Sequence, residues 1–128
     1  MHYNDLSREI IDTAIQIHRV LGPGLLESVY HEIMYFELKK KGFDVLKEVP
    51  VPIVWDGIKL NVGYRADLIV EDRIIIELKS VEKLNPVHQK QLLTYLKLAD
   101  KKLGLLINFG QKLLKDGLSR VVNGFEES

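Results

Sequence analysis

Residues 64–79 read YRADLIVEDRIIIELK, and this stretch decides the fold of the chain. Two apolar runs, each typical of a β-strand, flank a polar turn at residues 71–73. A turn of three residues pairs Val70 with Ile74 and places Asp67 directly opposite Glu77. The Cβ atoms of such a pair lie about 5 Å apart. The pattern therefore predicts a β-hairpin with two carboxylates side by side.

The charges in this hairpin favour a metal site. Side chains two residues apart in a strand share a face, so Glu77 and Lys79 point one way and Leu78 points into the core. Like charges directly opposite each other destabilise a sheet unless a cation lies between them. A surface hairpin with a Glu–Lys ion pair is the alternative, but the flanking residues are too apolar for a solvated edge.

The amino-acid composition limits the classes of protein to which the chain can belong. The 128 residues predict one domain, residues 1–128, and 46% hydrophobic with 28% charged residues is a globular balance. There is no cysteine, which excludes disulfides and thiolate chemistry. Neither a secretory signal nor a membrane span is evident, so we expect a cytoplasmic protein. A net charge of +0 means that any nucleic-acid binding must rest on a local patch.

Two helices are predicted before the strands. The first runs from Asp5 to Leu21 behind a cap at Asn4 or Asp5, and Gly22 ends it. Its predicted inward residues are Leu6, Ile10, Ala14, Ile17, His18 and Leu21. The second runs from about Leu25 to Lys41, with inward residues Leu26, Val29, Tyr30, Ile33 and Leu38.

A long hairpin follows, because Asp56-Gly57 between two apolar runs is a strong turn signal. It predicts four cross-strand pairs: Trp55 with Ile58, Ile53 with Leu60, Val51 with Val62, and Val49 with Tyr64. Pro50 and Pro52 mark an edge strand, since proline cannot donate a ladder hydrogen bond. Strand parity then gives one apolar face, with Ile74, Ile76 and Leu78, and one polar face, with Asp67, Glu77 and Lys79.

The rest of the sequence, after residue 79, predicts one helix and two strands. Asn85 caps a third helix from Pro86 to Ala99, whose buried side is formed by Leu92, Leu93, Leu96 and Ala99. Gln91 and Tyr95 border that side, and a separate basic stripe contains Lys90, Thr94, Lys97 and Lys101. Residues 103–109 form a buried strand, parallel to an earlier one, and residues 118–122 a short edge strand.

This order of elements, with Asp67 followed by Glu77-x-Lys79, resembles the PD-(D/E)XK nuclease superfamily. The resemblance implies a restriction-endonuclease-like α/β fold, with an αβββαβ core, a mixed sheet flanked by helices, and an extra N-terminal helix. The run from Gly24 through Glu27 to Tyr30 fits the GxxExxY family of that superfamily. Gln91 to Tyr95 is similar to the QxxxY motif of the RecB-like nucleases. The one departure is Ala66, where the superfamily name has proline.

The resemblance also implies roles for residues. Asp67, Glu77, the Leu78 carbonyl and Glu27 would bind Mg²⁺, with Mn²⁺ as a substitute. Lys79 would activate water or stabilise phosphate charge, and Gln91 would position water or substrate. The implied substrate-binding residues are Tyr95, Arg65, Tyr30, Lys90 and Lys97.

Each residue also has a structural alternative. Glu27 could only stabilise its helix dipole, Gln91 could be a helix-border hydrogen bonder, and Arg65 could pair with an acid. Tyr30 and Tyr95 could be core residues with satisfied hydroxyls. We expect His18 to be buried and hydrogen-bonded, and His31 and His88 to be solvated.

Three functions follow. The leading one is a Mg²⁺-dependent nuclease acting on nucleic acid, with DNA favoured over RNA and a homo-oligomer as the candidate assembly. The second is a catalytically weak module on the same fold that binds nucleic acid or oligomerises. The third is a Mg²⁺-dependent enzyme on a small phosphorylated substrate. Clustered carboxylates favour an enzyme over a binding module.

Overall fold

The computed structural model of the protein describes residues 1–60 and 63–124. The helices are α1 (Tyr3–Leu21), α2 (Glu27–Lys40) and α3 (Pro86–Ala99), with a 3₁₀ turn at Leu114–Gly117. The strands are β1 (Val45–Pro50), β2 (Ile53–Trp55), β3 (Ile58–Leu60), β4 (Arg65–Val70), β5 (Ile74–Lys79), β6 (Leu103–Asn108) and β7 (Leu118–Val122). No helix among the described residues is long and apolar enough to cross a membrane.

Five strands form one mixed sheet in the order β1-β4-β5-β6-β7, and β2 and β3 form a separate two-stranded sheet. Only the β5–β6 pair in the large sheet is parallel, as α3 connects these two strands by a crossover. The expected fold class is confirmed: a mixed sheet flanked by helices, preceded by an N-terminal helix. The edge positions expected for the proline-bearing strand and for residues 118–122 are also confirmed.

The turn between β4 and β5 has the predicted three residues. Val70 pairs with Ile74, and the Arg73 N–H donates to the Val70 carbonyl at 3.0 Å. Glu71 and Asp72 both adopt a left-handed conformation with φ of 53°, which non-glycine residues rarely do. This turn fixes the register of the two central strands.

The sheet is buried on both faces. One face packs against α1 and α2 through a core that includes Leu68, Val70, Ile74, Ile76 and Leu78. The other packs against α3 through Ile69, Ile75, Leu92, Leu96 and Leu106. The expectation of a polar face on β5 is therefore wrong over most of the strand, because α3 covers that face. Only Glu77 and Lys79, at its end, interrupt the apolar surface.

The observed helix boundaries, and the exposure of some helix residues, differ from those predicted. α1 begins at Tyr3 because the Nδ1 atom of His2 accepts a hydrogen bond from the Asn4 N–H. α2 begins at Glu27, which leaves Leu26 74% exposed before the helix. Val29 and Leu21, predicted to face inward, are also exposed. His18 is buried as expected, with Nε2 2.8 Å from the Gln111 carbonyl oxygen.

The long hairpin divides into two parts. The pairs Trp55–Ile58 and Ile53–Leu60 are confirmed in the small sheet, whereas the Val51–Val62 pair involves a residue outside the described ranges. The prediction for Val49 is wrong, because it pairs with Ala66 rather than Tyr64. Ile53 pairs with Leu60 in the small sheet and Pro50 with Arg65 in the large one, so the register moves by two residues between the sheets.

Tyr30 fastens the loop that precedes α2. Its hydroxyl donates to the Gly22 carbonyl and accepts from the Leu25 N–H. Its ring is fully buried and stacks on Phe109, with centroids 4.3 Å apart. The first residue of α2, Glu27, follows directly from this fixed loop.

Replacing Tyr30 by Phe should test this loop. The ring stack survives, but the Leu25 N–H and the Gly22 carbonyl lose their hydroxyl partner in a partly exposed loop, so we expect a loss of about 0.5–1.5 kcal/mol in unfolding free energy. Tyr35→Phe is the control, since the Tyr35 hydroxyl makes no hydrogen bond to another described residue. Urea unfolding measures both variants, and equal stabilities would contradict the assignment.

Candidate metal centre and active site

Asp67 lies at the point where β4 and β5 stop pairing. The last paired residues are Leu68 and Ile76, so one step further along the ladder Asp67 falls opposite Glu77. Asp67 Oδ2 accepts a hydrogen bond of 2.8 Å from the Leu78 N–H. The same oxygen lies 3.2 Å from His31 Nε2. The carboxylate is thus held between the adjacent strand and α2.

Helix α2 adds two ligand-type residues beside Asp67. One potential ligand atom from each of Glu27, His31 and Asp67 lies within 4.8 Å of the others, and we call these three residues the Glu27 group. Glu27 and His31 are four residues apart and so share one helix face. Glu77 is not a member of this group in the described part of the chain.

His31 was the residue that sequence reasoning missed. It was expected to be solvated, but its side chain is only 14% exposed and contacts Asp67. The signal was present as the spacing Glu27-x-x-x-His31, which brings a carboxylate and an imidazole together on one turn of a helix. The contact with Asp67, which comes from a distant strand, left no local trace.

Glu77 is held from the opposite side. The Tyr64 hydroxyl donates a hydrogen bond to Glu77 Oε1. The Tyr64 ring stacks on Tyr95 of α3, with ring centroids 3.8 Å apart and planes 10° from parallel. Tyr64 was assigned only to an apolar strand face, because its hydroxyl partner lies thirteen residues away on another strand.

A small cavity of about 40 Å³ surrounds this side of Glu77, and we call it the Glu77 cavity. Four residues predicted for the site line it together: Glu77, Lys79, Gln91 and Tyr95. Tyr64, Leu92, Leu106 and the half-buried His88, which closes the capping box of α3, complete the lining. α3 therefore brings the QxxxY residues to the end of β5.

Other residues predicted to bind substrate lie elsewhere. Arg65 is exposed and lines a separate cleft with Lys59. Lys90 and Lys97 line two further grooves, one beside β7 and one beside β1, and neither reaches the Glu77 cavity. Tyr30 is fully buried and its hydroxyl is bonded to the backbone.

The surroundings raise the pKa values of three groups near the site. Burial, with the nearby Asp67 charge, raises the pKa of Glu77 to about 7, while the Tyr64 hydrogen bond and Lys79 act in the opposite direction. The hydrogen bond with Asp67 raises the pKa of His31, aided by the charges of Asp67 and Glu27 and opposed by burial. Burial and Glu77 also raise the pKa of the Tyr64 hydroxyl.

A family model described as the PD-(D/E)XK nuclease superfamily matches residues 4–121. The chain belongs to the PD-(D/E)XK nuclease superfamily. Comparisons with curated proteins and with solved structures gave no significant match. Members of this superfamily are generally nucleases that use divalent metal ions, so membership indicates a metal-dependent nuclease.

The raised pKa of Glu77 predicts how Glu77→Gln changes stability in the metal-free PD-(D/E)XK protein. Below pH 4.5 the carboxyl is protonated in both states and costs nothing. As pH rises to about 7, the unfolded chain ionises first, so the folded state loses stability relative to it. The glutamine variant escapes this loss and should gain up to about 3 kcal/mol relative to the native protein by pH 8.

Denaturant unfolding at pH 4, 6 and 8 measures this difference. Glu82→Gln serves as the control, because Glu82 is exposed and forms no ion pair with another described residue. Its effect should be the same at all three pH values. A Glu77→Gln effect that does not change with pH would show that the Glu77 carboxyl ionises alike in both states.

Proposed function

We propose that this protein is a divalent-metal-dependent phosphodiester hydrolase that cleaves DNA. Asp67, Glu77 and Lys79 form its centre, with Glu27 and Gln91 beside them. The observation that carries the proposal is the end of the β4–β5 ladder, where both acids and the lysine lie between groups from two helices. Asp67 lies close to Glu27 and His31 there, and Glu77 and Lys79 line the Glu77 cavity.

The donor set fits a divalent cation. Two carboxylates, Glu27 and Asp67, supply the hard oxygen ligands that Mg²⁺ prefers, and Glu77 with the Leu78 carbonyl offers further oxygen. The imidazole of His31 is a nitrogen donor, which transition metals accept more readily than Mg²⁺ does. We therefore expect Mn²⁺ to serve this site at least as well as Mg²⁺.

Such a cation would neutralise phosphodiester charge and lower the pKa of water. Side chains of the protein itself would hold such a cation in place. Asp67 is already oriented by the Leu78 N–H, so it needs no rearrangement to act as a ligand. His31 Nε2 lies 3.2 Å from the same Asp67 oxygen and helps to hold that carboxylate in place in the metal-free site.

Glu77 and Lys79 suit the charge requirements of hydrolysis. As the oxygen of an attacking water bonds to phosphorus, the bond to the leaving sugar oxygen breaks and the water releases a proton. The pKa of Glu77 is raised to about 7 in the metal-free site. A bound cation would favour the ionised carboxylate, which would then serve as a ligand while the proton released by the water passes to solvent. The Lys79 ammonium opposes charge building on the phosphate. Gln91, at the same cavity, can orient the water.

We also infer membership of the GxxExxY family and the RecB-like branch. The observed contacts give the signature a physical sense: Tyr30 fixes the loop from which Glu27 extends toward Asp67. Tyr30 would then position Glu27 rather than bind substrate. Gln91 and Tyr95, one helical turn apart, both line the Glu77 cavity. Substrate contacts are assigned to Tyr95 and Arg65, with Lys90 and Lys97 as outlying phosphate contacts.

A small phosphorylated substrate is a weaker candidate. The Glu77 cavity encloses about 40 Å³, whereas sites that enclose small molecules hold roughly 300–1,000 Å³. A polymeric substrate needs no enclosure, because one phosphodiester reaches the site from the surface while neighbouring phosphates bind elsewhere.

Cleavage of linear, circular and single-stranded DNA with Mg²⁺ or Mn²⁺ tests the proposal. Asp67→Asn removes a ligand and Lys79→Gln removes the cation, so each should lower the rate by about 10²–10⁴-fold. The control is Asp12→Asn on the exposed side of α1. The assignment would be refuted if Asp67→Asn or Lys79→Gln still cleaved DNA at the native rate. It would also be refuted if the native protein cleaved none of these substrates with either metal.

Thermal melting tests metal binding without turnover. A cation that binds only the folded state at one hundred times its dissociation constant stabilises it by about 2.7 kcal/mol. The melting temperature should therefore rise by several degrees in the native protein and in Asp12→Asn, and much less in Asp67→Asn. A smaller Mn²⁺ shift in His31→Gln would identify the imidazole as a ligand. Equal shifts in native protein and Asp67→Asn would place the metal elsewhere.

A further inference from the structure

The β2–β3 hairpin presents apolar side chains to solvent at its tip. Trp55 and Ile58 are cross-strand neighbours beside the Asp56-Gly57 turn, and they are 68% and 61% exposed. Ile53, on the same strand face, is only 8% exposed at the base of the hairpin. One apolar face is thus buried at one end and left open at the other. An exposed apolar patch that includes a tryptophan ring often marks a site where a ligand or another macromolecule binds.

The base of the hairpin is tied to the candidate active site. Ile53 packs so closely on Gly63 that a Cβ atom there would lie 2.8 Å from Ile53 Cδ1. Gly63 has a φ of +149°, which side-chain-bearing residues rarely adopt. The next residue is Tyr64, whose hydroxyl holds Glu77. The hairpin is therefore in contact, through Ile53, with Gly63, which directly precedes Tyr64 of the candidate site.

A basic cleft of about 350 Å³ lies at the base of the hairpin and reaches Tyr64. Lys59 and Arg65 line it, and none of the described residues that line it is acidic. Lys59 forms no ion pair or hydrogen bond with another residue that the structure describes. Within the described ranges the Arg65 guanidinium donates a single hydrogen bond, to the backbone oxygen of Glu48 at 3.4 Å. Both cations are available to an anion, although Asp56 adds one negative charge at the turn.

From these features we propose that the hairpin binds single-stranded DNA. Trp55, supported by Ile58, stacks on an unpaired base, and Lys59 and Arg65 hold phosphates of the same strand as it passes toward Tyr64 and Glu77. Proteins bind single strands through exposed aromatic rings combined with basic grooves. The hairpin carries both, with Trp55 on one strand face at its tip and Lys59, on the opposite strand face, lining the cleft at its base, so a bound strand would cross the hairpin edge. A base inside an intact duplex has no free face to offer. The inference deepens the proposed function and rests on DNA as its substrate.

A second copy of the chain fits this surface less well. A stable interface needs about 800 Å² from each partner. The two strands of the hairpin have three residues each, and one tryptophan side chain contributes only about 150–250 Å². A base needs only one aromatic face, which the hairpin has.

Trp55 is the only tryptophan in the chain, so its fluorescence reports on the hairpin alone. We expect a single-stranded oligonucleotide, titrated in EDTA to prevent cleavage, to quench this fluorescence saturably. A blunt duplex of the same sequence should quench it much less. Equal quenching by both, or none by either, would overturn the inference. So would an emission shift that depends on protein concentration without DNA, accompanied by dimers in sedimentation, since a second copy would then cover the ring.

Variants separate stacking from charge, with binding followed by the anisotropy of labelled DNA. Trp55→Ala should weaken single-strand binding by about five- to one-hundredfold, and Trp55→Phe should retain most of the affinity. Lys59→Gln and Arg65→Gln should each reduce the slope of log affinity against log salt by about 0.7. Lys115→Gln, an exposed lysine on the 3₁₀ turn, is the control. Unchanged affinity in Trp55→Ala, with a native circular dichroism spectrum, would contradict stacking.

The same measurements distinguish failure of this inference from failure of the proposed function. Saturable quenching by single strands in a protein that cleaves nothing would uphold the hairpin surface and refute the nuclease. Cleavage by the native protein with no quenching and no effect of Trp55→Ala would uphold the nuclease and refute the hairpin surface.

Discussion

The register between β4 and β5 is the constraint on which the site depends. Three turn residues, two of them held in the left-handed conformation, pair Val70 with Ile74 and bring Asp67 opposite Glu77. A turn shorter by one residue would put Asp67 opposite Leu78, and one acid would then face the core. The apolar residues on both sides of the strands enforce this register, since a slip would expose Ile74 or bury a charge. Sheet packing therefore fixes the strand ends from which both acidic side chains extend.

The two acids are reached from different helices. α2 approaches Asp67 through Glu27 and His31, whereas α3 approaches Glu77 through Gln91 and the Tyr64–Tyr95 stack. Each approach is fixed by a buried tyrosine hydroxyl, that of Tyr30 in the loop before α2 and that of Tyr64 beside Glu77. A sheet covered by helices on both faces can position its strand-end carboxylates in this way without flexible loops.

Local signals in the sequence predicted most elements but not how distant elements meet. Asn85, Pro86 and the period of the leucines predicted that α3 begins at Pro86 and ends near Ala99, because capping and amphipathicity are properties of neighbouring positions. The pairing of Val49 with Tyr64 failed, since the extra residues on the return strand give no compositional sign. His31 and Tyr64 were missed for the same reason. Each owes its place to a contact with a residue far along the chain, Asp67 or Glu77.

Net neutrality gives the local surfaces their importance. With 18 basic and 18 acidic residues, the chain offers no overall attraction to a polyanion, and the acids of the site repel phosphate in the absence of a cation. Affinity for nucleic acid must then come from a few cations and from contacts that salt does not screen. Lys59 and Arg65 are too few to act alone, because each phosphate contact is weakened by competing counterions. The proposed stacking on Trp55 would not be weakened in that way, because contact between a base and an aromatic ring does not depend on counterions.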